Sequence, residues 1–268
     1  MTVPLPQSLR QAVRHELRTA FHYPYNLLQV IALNAVLVVI LWYFAPPKVE
    51  ALFFDVHSPA LFTIVLAGWM YSDVPATNVL ASDPVRTRAA LDDRTMTVRL
   101  MTAKRLALWI LVAPLCTAIT FIMGYRSQHW TTEMVAIASI VVLPFGTLAI
   151  AGWVGIIWPY HPRSLGYRWR HRRDWFHDLV RWGVLVFLPY GLVPLIGLVL
   201  LVPSLIVWGV RSEQQVADLS AVPHLVLGMG LAVAMTIGGT VLGNRFGWWL
   251  IERRRAALQH YLAHPELG

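Results

Sequence analysis

The sequence predicts an all-α, polytopic membrane protein: six transmembrane helices preceded by an amphipathic interfacial helix, with both termini cytoplasmic. Three observations predict it. Only 13% of the 268 residues are charged and 57% are hydrophobic, against about 25% charged in a soluble domain. Six apolar runs are long enough to cross about 30 Å of hydrocarbon, which takes about 20 helical residues. The basic residues collect in alternate connecting segments. Disorder, a coiled coil and an ordinary cytosolic enzyme are excluded at the outset.

The segment 1–26 is read as a cytoplasmic amphipathic helix. Leu9, Val13, Leu17, Ala20 and Phe21 recur at helical spacing, and Arg10, Arg14 and Arg18 form an i, i+4 row on another face. The alternative is a solvated basic leader. A cleaved signal peptide is not expected, because the apolar run starts only after these residues and lacks a small-residue cleavage site.

The transmembrane domain is expected over 27–249. Its spans are 27–45, ending at Pro46-Pro47, then 59–81, 106–124, 134–158, 183–210 and 223–249. None alternates with period two, so a β-barrel is not expected. A cytoplasmic tail, 250–268, follows.

Charge sets the orientation. The segments 1–26, 82–105, 159–182 and 245–268 hold 3, 6, 6 and 4 Lys+Arg, which is 19 of the 22. Lys48, Arg126 and Arg211 fall one in each remaining loop. Lys and Arg concentrate on the cytoplasmic side of membrane proteins, so both termini are placed there. Trp42, Tyr43, Trp130 and Trp208 lie at outer span ends, and Trp158, Tyr160, Trp248 and Trp249 at inner ends, the depths amphipathic rings prefer. The net charge of +8 is mostly this asymmetry. It is read as arginine flanking a bilayer rather than as a nucleic-acid surface. The mixture of rings and cations from Tyr167 to Trp175 is read the same way, as a helix in the headgroups.

Little in the chain points to catalysis. Cys116 is the single cysteine, so neither an intrachain disulfide nor a cysteine-based zinc site is expected. No G-x-x-x-x-G-K-[ST] motif is present, so the chain is not expected to hydrolyse ATP itself. His260 and His264 share a helix face but lack a third ligand, and no metal site is expected. His161, His171 and His177 are read as solvated residues of the arginine-rich loop. Ser58, Ser72, Ser139 and Ser204 have no nucleophile-elbow context, and no catalytic residue is assigned. Gly238, Gly239 and Gly243 are read as helix-packing positions, and Asn34 and Asn244 as interhelical hydrogen-bonding residues.

Two places stand out. Asp73 is the single acid inside any expected span, with Thr77 one turn on and Asn78 beside it. An ionisable group at membrane depth is costly and is read as a candidate polar site, lining a transport path or forming a proton-linked switch. The alternative places Asp73 at the inner boundary, in water or bonded to backbone loosened by Pro75. The second place is the segment 82–105. Ser82 or Asp83 caps a short helix that begins at Pro84. Asp83, Arg86, Arg88, Asp92, Asp93 and Arg94 give it charge on both sides, suited to docking another protein. The alternative is a helix resting on headgroups.

The order of these parts resembles the membrane subunits of type-2-like ABC exporters. The resemblance covers nearly the whole chain and is one of pattern. Three stretches carry most of it: Ser72-Asp73-Val74-Pro75-Ala76-Thr77-Asn78-Val79-Leu80 followed by Asp83-Pro84-Val85-Arg86, then Arg99-Leu100-Met101-Thr102-Ala103-Lys104-Arg105-Leu106-Ala107-Leu108, and Gly152-Trp153-Val154-Gly155-Ile156-Ile157-Trp158-Pro159-Tyr160. The chain departs from the pattern in having Gly152-Trp153 where Gly-Asn is more usual. Its loop between spans five and six is also short, so re-entrant helices would have to be cut from the long spans, as Pro203 and Gly209 permit.

The resemblance implies a permease that forms the substrate pathway as a dimer with an identical or related subunit. Separate P-loop ATPase subunits would carry ATP and Mg, and this chain would bind no cofactor. Asp83, Arg86, Arg88, Asp92, Asp93 and Arg94 would make or flank the ATPase contact as a coupling helix, with Arg10, Arg14 and Arg18 beside it. Arginine outnumbers lysine 20 to 2, as in GC-rich bacterial genomes, so a bacterial plasma (inner) membrane is expected. Such folds handle lipids, glycolipids, polysaccharides, peptides and drugs, and no cargo follows. The competing readings are a non-transporting scaffold or assembly protein, a proton-coupled secondary transporter using Asp73, and a lipid-acting membrane enzyme, for which no catalytic cluster is found.

Overall fold

The structure is a computed structural model that describes residues 5–23, 25–44, 59–72, 74–128, 130–161, 176–208 and 222–264. Among the described residues the chain is helical, without strands. In chain order the helices are α1 (Leu9–Ala20), α2 (Asn26–Phe44), α3 (Pro59–Tyr71), α4 (Val74–Thr77), α5 (Pro84–Ala90), α6 (Arg94–Ser127), α7 (Trp130–Ala151), α8 (Trp153–Ile157), α9 (Phe176–Trp208) and α10 (Val222–Ala263).

Five of these segments are long and apolar enough to cross a membrane: α2, α6, the α7–α8 segment, α9 and α10. Large side chains on their outer faces are bare: Phe187 is 72% exposed and Ile206 71%. A water-facing bundle rarely leaves such a surface, whereas lipid is as apolar as they are. The chain is therefore a multi-pass membrane protein.

The helix expected over 59–81 is not continuous. α3 has 13 residues, about 20 Å at about 1.5 Å per residue, and stops at Tyr71. Ser72 turns back on it, its Oγ donating to Gly68 O at 2.5 Å and its N–H to Trp69 O. Pro75 lacks an N–H to continue the ladder from α3, and the four-residue helix α4 follows as a separate turn. The expected fourth span is likewise divided, at Gly152, into α7 and α8. Conversely, α6 starts at Arg94, well before the expected span at 106, and α10 runs unbroken from the expected sixth span through most of the tail. At 42 residues α10 is about 63 Å long, roughly twice the hydrocarbon thickness. The short loop expected at 211–222 lies outside the described residues up to 221, as does the arginine-rich stretch 162–175.

The core is apolar and centred on α3. Phe62, Leu66 and Met70 of α3 pack with Ile31 and Val38 of α2, Leu108, Val112 and Cys116 of α6, and Ile140 of α7. Asn34, 1% exposed, accepts a 2.8 Å bond from Tyr190 Oη, joining α2 to α9 as an interhelical polar contact. The bundle is completed by α10, which packs most extensively on α7 and next on α9.

The described parts of the basic segments 1–26, 82–105 and 245–268 meet at one end of the bundle, together with residues 159–161. Arg99 Nη1 donates to Pro6 O at 2.9 Å and to Gln7 O at 2.8 Å. Lys104 Nζ pairs with Glu16 at 3.3 Å and donates to Ser82 Oγ at 2.8 Å. Gln259 of α10 donates to Asp92 at 3.1 Å, and His161 is held by Tyr261.

Candidate functional site

This basic end holds the residues singled out in the sequence. α1 forms as expected: Ser8 caps it, accepting from Gln11 N at 3.2 Å, and Ala12 and Ala20 face inward. The helix lies chiefly along the base of α6. Arg10, Arg14 and Arg18 are exposed on its free face. His15 on the same helix is also largely exposed. Desolvation on its packed side, then the Arg86 guanidinium and more weakly Lys104, hold its pKa below the ordinary 6.5, against opposing contributions from Glu16 and Asp83.

α5 is the short helix expected between spans two and three. Asp83 caps it by accepting from Arg86 N at 3.2 Å, and Pro84 stands in its first turn. The same carboxylate pairs with Arg86 Nη1 at 3.6 Å. Two buried threonines lock the helix from both sides. Thr87 Oγ1 donates to Leu80 O at 2.7 Å, and Thr97 Oγ1 donates to Ala90 O at 2.6 Å. Asp93 then caps α6, accepting from Thr95 N at 2.7 Å and Met96 N at 3.2 Å. Beneath α5 lies a second apolar cluster of Val79, Leu80, Leu91, Met101, Ile156, Trp248, Ile251 and Leu258. Helix α5 is thus seated on α6 and on the extension of α10.

The six charged residues have two roles, and Asp93 shares in both. Asp83, Arg86 and Asp93 serve the local fold through caps and the Asp83–Arg86 pair. Arg88, Asp92, Asp93 and Arg94 are exposed, beside Val85, which is 63% exposed. Asp92 is tied to α10 by Gln259, and Arg94 sits 5.8 Å from the ring of Trp248. What faces outward is a small mixed-charge surface with one large apolar residue.

Asp73 lies outside the described residues. Thr77 and Asn78 are both buried. Asn78 is a structural clamp: Nδ2 donates to Tyr160 O at 2.6 Å, and Tyr160 N donates to Asn78 Oδ1 at 3.3 Å. Gly155 permits this approach, since a Cβ there would stand 2.2 Å from Thr77 O.

His161 corrects an expectation. It is 3% exposed rather than solvated. Its ring stacks on Tyr261 with centroids 4.6 Å apart, and Nε2 donates to Tyr261 O at 2.9 Å. Beside it, Arg254 Nη1 donates to Ile156 O at 2.8 Å and also to Ile157 O, capping the end of α8. The rings of His260 and His264 lie 4.3 Å apart at a 40° tilt, and among the described residues no three His, Cys, Asp or Glu side chains converge as metal ligands.

One residue was missed by sequence reasoning. Arg105 had been counted with the basic flank of span three, yet it is only 7% exposed. Its Nη1 donates to Asn244 Oδ1 at 2.6 Å, so Asn244 is indeed an interhelical partner, but of a buried cation. The clue available in the sequence was its place one residue before an uninterrupted apolar run.

No protein-family model, curated protein or solved structure matches this chain.

Proposed function

We propose that this chain is the transmembrane subunit of an ATP-binding cassette exporter in the bacterial plasma membrane. On this reading it has six spans, with α3 belonging to the second, and both termini lie in the cytoplasm at the basic end. It forms the substrate pathway with a second permease subunit, and P-loop ATPase subunits that carry ATP and Mg dock against it.

One observation carries the reading. α5 is clamped between the base of α6 and the extension of α10, while Arg88, Asp92, Asp93 and Arg94 stay exposed. A short helix held this firmly transmits a push to two long helices. A helix resting loosely on headgroups would need neither the two caps nor the two threonine locks. α1, with its free arginine face, borders the same surface and extends the contact.

The test is a mild-detergent pull-down of the tagged protein from its native host, with an ATPase assay on the eluate. A stoichiometric P-loop partner is expected, released by Arg88→Glu with Arg94→Glu. Elution of the chain alone and inactive, with those arginines intact, would overturn the reading.

A further inference from the structure

The guanidinium of Arg105 is under-used for a buried cation. Arginine has five N–H donors in a fixed fork. Here Nη1 serves Asn244, and Nη2 reaches Ala149 O at a long 3.4 Å. Nε has no partner, and among the described residues no carboxylate pairs with it. Ala149 stands in the last turn of α7, whose carbonyls offer partial negative charge but no counter-ion. A buried charge normally has one.

Arg105 lines a cleft of about 90 Å³ between α6, α7 and α10, together with Trp109, Phe145, Thr240 and Asn244. Trp109 is also the first residue of a second, open groove of about 600 Å³ between α6 and α7. That groove is walled by apolar groups including Ala113, Ala118 and Phe121. The two meet at Trp109 on one face of α6, where Thr102, Arg105, Trp109, Ala113, Thr117 and Phe121 follow at steps of three and four. From Trp109 to Phe121 the helix rises about 18 Å, comparable to one leaflet of a hydrocarbon core about 30 Å thick.

We propose that this face binds an anionic phospholipid, with the phosphate at Arg105 and an acyl chain along the groove from Trp109 to Phe121. The cation meets the headgroup at the basic end, where the exposed Trp158 and Trp249 mark an interface depth. The groove beyond it is chiefly apolar, with the Thr117 hydroxyl on its wall. A free anion would use the cleft and leave the groove without a role. The proposal needs a bilayer around these helices and does not depend on ATP-driven transport.

The experiment uses the full chain in nanodiscs of equal phosphatidylglycerol and phosphatidylcholine, with lipids retained on release counted by native mass spectrometry. The wild type should favour phosphatidylglycerol by about fivefold or more. Arg105→Gln should bring the ratio close to one. Ala118→Trp, which fills the groove at an exposed position and leaves Arg105 intact, should lower retention of phosphatidylglycerol, and it answers the question if R105Q does not fold. Arg253→Gln, removing an exposed cation 4.5 Å from the Trp249 ring, should leave the ratio unchanged. Equal retention of the two lipids by the wild type would overturn the proposal. So would an R253Q effect as large as that of R105Q, or full retention in A118W. Inorganic phosphate binding in neutral detergent that depends on Arg105, without lipid selectivity, would make the cleft an ion site and likewise overturn it.

Discussion

Asn78 and Tyr160, 82 positions apart, pair as two strands would: the Asn78 amide donates to Tyr160 O at 2.6 Å and accepts from Tyr160 N at 3.3 Å. The side chain stands in for a backbone at a place where both helices have ended. Satisfying two backbone groups this way joins the turn after α4 to the segment after α8. Asn78→Asp keeps the acceptor and loses the donor, leaving a carbonyl facing a carboxylate. We expect Asn78→Asp to cost more than Asn78→Ala, with both falling at about 1–3 kcal/mol, read as loss of thermal stability in detergent. Equal stability of wild type and N78D would remove the clamp.

The glycines of α10 divide by what lies opposite them. A Cβ at Gly243 would stand 2.7 Å from the Ala149 backbone, where α10 packs against α7. At Gly238 nothing lies within 4 Å. Gly243→Ala should therefore destabilise by about 1–3 kcal/mol through overpacking. Gly238→Ala should be neutral or stabilise by up to about 1 kcal/mol through helix propensity. Thermal melts of the pair in one detergent check the sign. The same loss at both positions would contradict the packing described.

Caps and contacts at α5 separate experimentally. Asp83→Ala and Asp93→Ala each remove a helix cap, expected to cost about 1 kcal/mol of stability. Arg88→Glu changes an exposed side chain and should leave the melting temperature within about 1 °C, a surface substitution of a few tenths of a kcal/mol at most. Partner capture should respond in the opposite order, with Arg88→Glu losing it at unchanged fold. Loss of partner only in the cap variants would point to unfolding instead.

Attachment of α1 should depend on pH. His15 is held below its ordinary pKa of 6.5 by desolvation and Arg86, so between the lowered value and 6.5 the detached helix binds more protons than the docked one. Stability then rises with pH across that window. Acidification from pH 7.5 to 5.5 should weaken docking, seen as faster amide exchange in Leu9–Ala20, and His15→Gln should flatten the response. Exchange that slows on acidification, after correction for intrinsic rate, would reverse the sign and sink the argument.

Much of this was legible beforehand. α1 was readable because one face meets water, so its apolar residues recur at a period the eye can find. The start of α5 was readable because Asp83 and Pro84 are local signals whose meaning does not depend on distant residues. The meeting of the described parts of 1–26, 82–105 and 245–268 agrees with their alternation between spans. Other features were hidden. The end of α3 at Tyr71 lay inside an unbroken apolar run, and His161 looked solvated because its partner, Tyr261, is 100 residues away.

What the sequence determined by itself is the class of solvent. Its apolar runs require a bilayer, its helices follow because every backbone polar group must be satisfied inside lipid, and its basic residues gather in alternate connecting segments. What only the tertiary structure decided is which side of each helix is inside. Lipid and a packed helix are equally apolar, so hydrophobic pattern does not distinguish the lipid face of α6 or α10 from the packed one. The burial of Arg105, the packing of Gly243 and the exposure of Gly238 are set by where α7 runs. That position is fixed by close packing and a few long-range polar bonds, which no single stretch of the chain contains.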